Sequence, residues 1–266
     1  MAEAVFEGDR GVHPDPQELE RAIRALAPQR ALARAAAWLL LPLAVLWLRW
    51  IRGYRIRDLA RVRRSARELL ESARGPVLVC ANHLTWIDSL LVQLAIASTF
   101  RLLGHSRELA WNLPEQSRAA QNSWRRALTY LGKCLPITRG GDRRTQRLTF
   151  LKAGHLLAQG ELVLIFPEGK RTDTGWIDRE NLAWGIGRVL KSVERCQVLC
   201  VHLRGDRQQG KSLLPARGQS FEVDLALLCP RSAASGLKQS KELTLQIFDQ
   251  LVELEGRYFA RRQRHH

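Results

Sequence analysis

Three unbroken apolar runs constrain the fold of this chain more than any other feature: residues 76–82 (PVLVCAN), 161–169 (ELVLIFPEG) and 197–205 (QVLCVHLRG). A strand that is apolar on both faces has to be covered on both faces, which is how strands lie in a largely parallel sheet packed between helices. The stretches between them carry helical spacing. Residues 85–98, 117–131, 145–159 (with Leu148, Leu151, His155 and Leu156), 182–194 and 238–262 read as helices. The last is amphipathic, carrying Leu243, Ile247, Phe248, Leu251, Leu254 and Phe259. Residues 100–104 (FRLLG) and 220–228 (SFEVDLALL) read as further strands, and 111–115 (WNLPE) as a helix-breaking loop. The alternation predicts an α/β domain with a largely parallel central sheet flanked by helices.

The 266 residues are 45% hydrophobic, enough for one large domain with an appendage and too apolar for a disordered chain. Forty-two Lys and Arg against 26 Asp and Glu leave a net charge of +16, which calls for an anionic partner. Cys80, Cys134, Cys196, Cys200 and Cys229 are odd in number, with Cys80 and Cys200 inside apolar runs, so they read as reduced thiols of a cytosol-facing protein. No cleavable signal peptide is expected, and His265 and His266 are left out of the functional reading.

Residues 35–48 (AAAWLLLPLAVLWL) are the most apolar run, preceded by a helix expected over Asp15–Arg34. Fourteen residues span ~21 Å as a helix, against about 20 residues needed to cross a bilayer core of ~30 Å. Pro42 in the middle predicts a kink or a break. Arg30 and Arg34 precede the run, and Arg49, Arg52, Arg55, Arg57, Arg61, Arg63, Arg64 and Arg67 follow it. Arginines at both ends predict that both lie on the cytoplasmic side of a membrane, with Trp38, Trp47 and Trp50 at headgroup level. The expectation is a monotopic or re-entrant segment on an anionic membrane surface, at the cytoplasmic face of a bacterial inner membrane. Residues 1–70 then form a membrane-associating helical region and 71–266 the functional domain.

His83 falls where a buried strand ends and a helix begins, the place where sites collect in open α/β sheets. Asp88, five residues on, is placed to accept from one ring nitrogen, fix the tautomer and stabilise the imidazolium formed when the other nitrogen takes a proton. The nucleophile is then a hydroxyl of the substrate. An isolated H-x4-D is also compatible with a strand cap and a solvated aspartate, so the pair gains its meaning from its companions.

Those companions resemble the motifs of the glycerolipid acyltransferase family, the 1-acylglycerol-3-phosphate acyltransferase type. Asn82, His83 and Asp88 match N-H-x4-D. Residues 132–139 (GKCLPITR) resemble G-x-x-x-I-x-R, and residues 166–172 (FPEGKRT) resemble F-P-E-G-T-R-S. Residues 198–202 (VLCVH) stand where the family has an apolar strand with a proline, which is missing here, and His202 reads as a packed strand residue. Lys170 replaces the small hydroxyl residue usual after the Glu-Gly pair. The resemblance spans about residues 76–205. It implies acyl transfer from acyl-CoA or acyl-carrier protein, with no metal and no further cofactor. It also implies His83 as base and Asp88 as its orienting group. Asn82, Arg139, Glu168, Gly169 and Arg171 fall to substrate binding, Arg139 taking the acceptor's phosphate. The acceptor it implies is a lysophospholipid, 1-acylglycerol 3-phosphate first, with a lyso-ornithine or other specialised lipid as the alternative.

The charge also suits a nucleic-acid binder, yet no nucleic-acid fold signature accompanies it and the arginines crowd beside a tryptophan-bearing apolar run. No G-x-S-x-G elbow is present, which excludes that class of serine hydrolase. Gly185-Ile186-Gly187 lacks the third glycine of a dinucleotide site. A non-catalytic membrane scaffold is the remaining rival, and His83, Asp88 and Glu168 argue against it.

Overall fold

The computed structural model describes residues 14–115, 122–138, 142–178, 182 and 184–264. Among them six strands form one sheet in the order β1-β6-β5-β2-β4-β3: β1 (Arg55–Ile56), β2 (Val77–Ala81), β3 (Trp111–Asn112), β4 (Val163–Ile165), β5 (Gln197–Gly205) and β6 (Ser220–Leu228). Every neighbouring pair is parallel except β5 and β6, which run antiparallel. The expected α/β class is therefore seen, as a mostly parallel sheet between helices.

Alternation along the strands divides the interior into two layers. Val77, Val79 and Ala81 of β2 and Leu199, Val201 and Leu203 of β5 face α3 (Leu59–Ser72), α4 (Asp88–Ile96) and α5 (Thr99–Gly104). Leu78 and Cys80 join Val198 and Cys200 on the other face, against α7 (Arg143–Ala158), α8 (Gly185–Lys191) and α9 (Gly236–Gln263). Both faces being apolar is what made these runs unbroken in the sequence. All five cysteines are free, and Cys80, Cys196 and Cys200 are buried.

Three expectations are corrected. Residues 100–104 belong to helix α5, because the Ser98 side chain accepts from the Arg101 N–H and caps a helical turn. Trp111 and Asn112 form an edge strand pairing with Val163 and Leu164, where a loop was expected. The strand expected over 161–169 is confined to Val163–Ile165. It stops at Phe166 because Pro167 has no N–H for a ladder, and a turn closes through Gly169 N–H to Phe166 O at 3.0 Å.

The N-terminal region departs most from its expectation. Helix α1 (Pro16–Arg24), helix α2 (Leu26–Leu46) and a π-helical turn (Trp47–Ile51) follow one another from Pro16 to Ile51. Of the kink or break expected at Pro42, the break is absent: Pro42 lies inside α2, which continues to Leu46. This 36-residue stretch is long and apolar enough to cross a membrane and points to membrane association. Its two sides differ. Leu26, Gln29, Ala33, Ala37, Leu41 and Leu48 are buried against the domain. Leu32, Trp38, Leu39, Leu43, Leu46 and Trp50 are exposed on the opposite side. Gln29 Nε2 donates to the carbonyls of Tyr130 (3.1 Å) and Cys134 (3.0 Å), tying α2 to α6 (Ser123–Leu131) and the turn after it.

A buried ion cluster fixes the same helix to the sheet edge. Lys133, 1% exposed, donates to the carbonyls of Ser106 and Leu109 and to Glu161 Oε2 at 2.7 Å. Trp111 Nε1 donates to the same oxygen at 2.6 Å. Arg30 Nε of α2 lies 2.6 Å from the other, an ion pair without hydrogen-bond alignment.

Candidate active site

His83 lies between β2 and α4, in a turn organised by the Asp88 carboxylate. Asp88 is the first residue of α4 and is buried. Its Oδ2 accepts from the N–H groups of Leu84 and Thr85, both at 2.6 Å, and sits 3.1 Å from His83 Nδ1. The Thr85 hydroxyl donates to Oδ1. An ionised carboxylate can only accept, so the His83 contact places the proton on Nδ1 and leaves the Nε2 lone pair for substrate. Asn82 works as an extra rung between strands: its Nδ2 donates to Leu203 O at 3.1 Å and its Oδ1 accepts from Leu203 N–H at 2.8 Å.

The loop after β4 clamps the same histidine from the other side. Glu168 Oε1 accepts from the His83 N–H at 2.9 Å, and Glu168 Oε2 accepts from the Thr172 hydroxyl. Thr172 N–H donates to His83 O at 3.3 Å. The Phe166 ring stacks on the imidazole with centroids 4.2 Å apart. Gly169 holds φ +66°, a left-handed conformation that glycine adopts without a Cβ penalty, and this turns the chain back toward His83. Burial raises the Glu168 carboxyl from 4.5 to about 7. The nearby charges of Glu255 and Asp88 add to the rise, while the Thr172 and His83 hydrogen bonds oppose it.

A third loop, residues 206–213, completes the wall. Ser212 N–H donates to Leu84 O at 3.0 Å, and Trp86 N–H to Leu213 O at 3.2 Å. Arg171 Nη1 donates to Ser212 O at 2.8 Å, joining this loop to the one after β4. Arg125 of α6 sits over the rings of Trp86 and Trp124, at 5.7 and 5.3 Å from their centroids. Trp86, Trp124 and Leu213 are exposed, so an apolar rim adjoins the histidine.

A family model described as Acyltransferase matches residues 57–229, more than half of the 266-residue chain. The chain belongs to the glycerolipid acyltransferase family. No curated protein matches it.

In this acyltransferase the fold brings Asn82, His83, Asp88, Glu168, Gly169 and Arg171 together at the carboxyl end of β2 and β4. Arg139 lies outside the described residues. Lys170 is exposed, and the hydroxyl that meets Glu168 comes from Thr172 instead. Thr172 was within reach of the sequence, standing at the serine position that ends the third motif. Thr85, Phe166 and Ser212 carried no comparable signal. His202 is fully buried on β5, its ring tilted against Tyr258 at 5.5 Å, and burial lowers it to about 3, so it is a neutral packing residue. Among the described residues no group of three His, Cys, Asp or Glu side chains is placed to hold a metal.

Proposed function

We propose that this acyltransferase moves a fatty acyl group from an acyl-CoA or acyl-carrier-protein thioester to a hydroxyl of a lysophospholipid, 1-acylglycerol 3-phosphate, with His83 as general base. The observation that carries the reading is the His83 Nδ1–Asp88 Oδ2 contact at 3.1 Å, in a turn held from the other side by Glu168. Nε2 takes the proton of the acceptor hydroxyl as its oxygen attacks the thioester carbonyl. The imidazolium is stabilised by Asp88. As the tetrahedral intermediate collapses, the C–S bond breaks and the proton passes from Nε2 to the leaving thiolate.

Asn82, Glu168 and Gly169 serve this by shaping the loop that presents the imidazole. Arg139 and Arg171 offer guanidinium groups to the acceptor's phosphate. The exposed apolar side of α2 and the Trp86, Trp124 and Leu213 rim support a docked enzyme that draws its lipid acceptor from the cytoplasmic leaflet, held by the arginines on anionic headgroups.

The test is acyl transfer by purified protein, with mixed-chain acyl-CoA and acyl-carrier protein as donors and 1-acylglycerol 3-phosphate as acceptor. Product that disappears in a folded His83→Ala variant is expected. Unchanged turnover by that variant sinks the mechanism. Transfer to a lyso-ornithine lipid in preference to the phosphate-bearing acceptor sinks the acceptor assignment.

A further inference from the structure

Arg204 stands near the end of β5, next to the Leu203 that pairs with Asn82. It is buried, and its guanidinium joins the two loops that wall the histidine site. Nη1 donates to Gly175 O in the loop after β4. Nε and Nη2 donate to Gln208 O, at 3.2 and 3.0 Å, in loop 206–213. A planar guanidinium donates in fixed directions, so it sets the separation of the carbonyls it holds. The Phe259 ring of α9 lies 4.8 Å from the guanidinium, and Trp176 of the first loop stacks on that ring with centroids 4.0 Å apart.

Glu255, also on α9 and buried, holds the first loop a second time. It accepts from the Ile177 N–H on both oxygens, at 3.2 and 3.4 Å. Burial lifts its carboxyl to about 7, against that hydrogen bond and the charge of Arg204. Burial also lowers the Arg204 guanidinium, while Tyr258 and Glu255 hold it up. Each of the two buried groups therefore favours the charged form of the other.

The two loops meet closely above this pair. Gly175 (φ +75°) leaves no room for a Cβ against Gln209 O, and a Cβ on Gly210 would lie 2.6 Å from Asp173 O. Lys211 and Asp173 form an ion pair across the same seam. Beyond it, Glu168 and Thr172 reach His83, and Ser212 reaches Leu84.

We propose that Arg204 and Glu255 are positioning residues for acyl transfer: they hold the two loops at the separation at which Glu168, Thr172 and Ser212 grip the His83 turn. The proposal rests on the acyl-transfer reading and adds to it two residues outside the four motif stretches.

The experiment compares Arg204→Met, Glu255→Leu and the double variant by thermal melts, steady-state transfer and NMR of the His83 ring, whose signals are assigned by their loss in His83→Ala. Each single variant leaves one buried charge without its counterpart and is expected to melt lower. The double variant removes both charges and is expected to recover the melting temperature. Its kcat is expected to stay about 10- to 100-fold below wild type, with KM for donor and acceptor changed by less than about threefold. Its His83 ring signals are expected to move from their wild-type positions. Glu255→Gln keeps the shape and an accepting oxygen for Ile177, and is expected to retain more of kcat than Glu255→Leu. A double variant that recovers kcat together with its melting temperature overturns the proposal, because the pair then serves stability alone. Folded variants, Glu255→Gln included, whose His83 signals coincide with wild type overturn it as well. The ring signals need no turnover, so the two readings fail separately. Displaced signals in a chain that transfers no acyl group sink the acyl-transfer reading. His83-dependent transfer with unchanged kcat in the folded variants sinks the positioning role alone.

Discussion

The backbone N–H of His83 donates to the Glu168 carboxylate at 2.9 Å, so the third sequence motif holds the first. Both Glu168 oxygens are engaged, one by His83 and one by Thr172. Glu168→Ala leaves both donors unsatisfied in a buried place, a loss of ~1–3 kcal/mol each in the worst case. Glu168→Gln keeps one accepting oxygen for His83 and offers an amide to the Thr172 oxygen. Steady-state kinetics should therefore rank wild type above Gln and Gln well above Ala, with kcat carrying the difference.

The same carboxyl makes stability depend on pH. Its folded value of about 7 lies above the 4.5 of an ordinary glutamate, so the folded chain holds the proton longer than the unfolded one. The stabilisation is fully present below about 4.5 and is lost as pH rises through about 7, by at most ~3 kcal/mol. Urea unfolding across this window should show a slope that flattens in Glu168→Gln. Some slope persists, because burial also raises Glu255 to about 7.

Asp88→Asn separates charge from shape. An asparagine oxygen can take the Leu84 and Thr85 N–H bonds while its amide faces the Thr85 hydroxyl. The fold should survive, with a melting temperature lowered by less than about 4 °C. Transfer should fall about 10²-fold or more, because the imidazolium loses its neighbouring charge. A variant with near-wild-type turnover would show that Asp88 acts on the turn alone.

Glu161 carries the buried charge of Lys133, 2.7 Å away. Glu161→Ala strands that ammonium in the interior, an effect of ~3–5 kcal/mol. Glu161→Leu combined with Lys133→Met removes both charges and should recover much of the loss. Chemical denaturation of the single and double variants decides it, and a double variant no better than Glu161→Ala would refute the coupling.

The two sides of α2 should respond differently to substitution. Trp38→Glu with Leu43→Glu changes exposed positions and should release the protein from vesicles of anionic lipid while its melting temperature stays nearly constant. Ala33→Leu overpacks a buried position, by ~1–3 kcal/mol, and should lower stability without loosening vesicle binding. Co-sedimentation and thermal melts read the two effects.

Legibility followed length and locality. Strands β5 and β6 were readable to the residue because nine apolar or alternating positions leave little choice. The two-residue strands β1 and β3 carry no periodicity, and they exist because β6 and β4 offer them a free edge. FRLLG is too short and apolar to separate strand from helix, and the deciding signal was Ser98 just before it. Pro42 does not break α2, which is held in the core by Ala37 and Leu41 before it and continues into the turn whose Leu48 is buried after it. His83 and Asp88 were visible because they share one turn. The wall formed by Ser212 and Leu213 was not, because it arrives from more than 120 residues away along the chain.

Helix α2 is interior on one side and exposed and apolar on the other. A form without that apolar surface therefore cannot be had by trimming the N-terminus, since the cut that sheds it also opens the hydrophobic layer beneath it. Repainting the outward positions with polar side chains, and leaving Ala33, Ala37, Leu41 and Leu48 untouched, is the route by which such a form can be made.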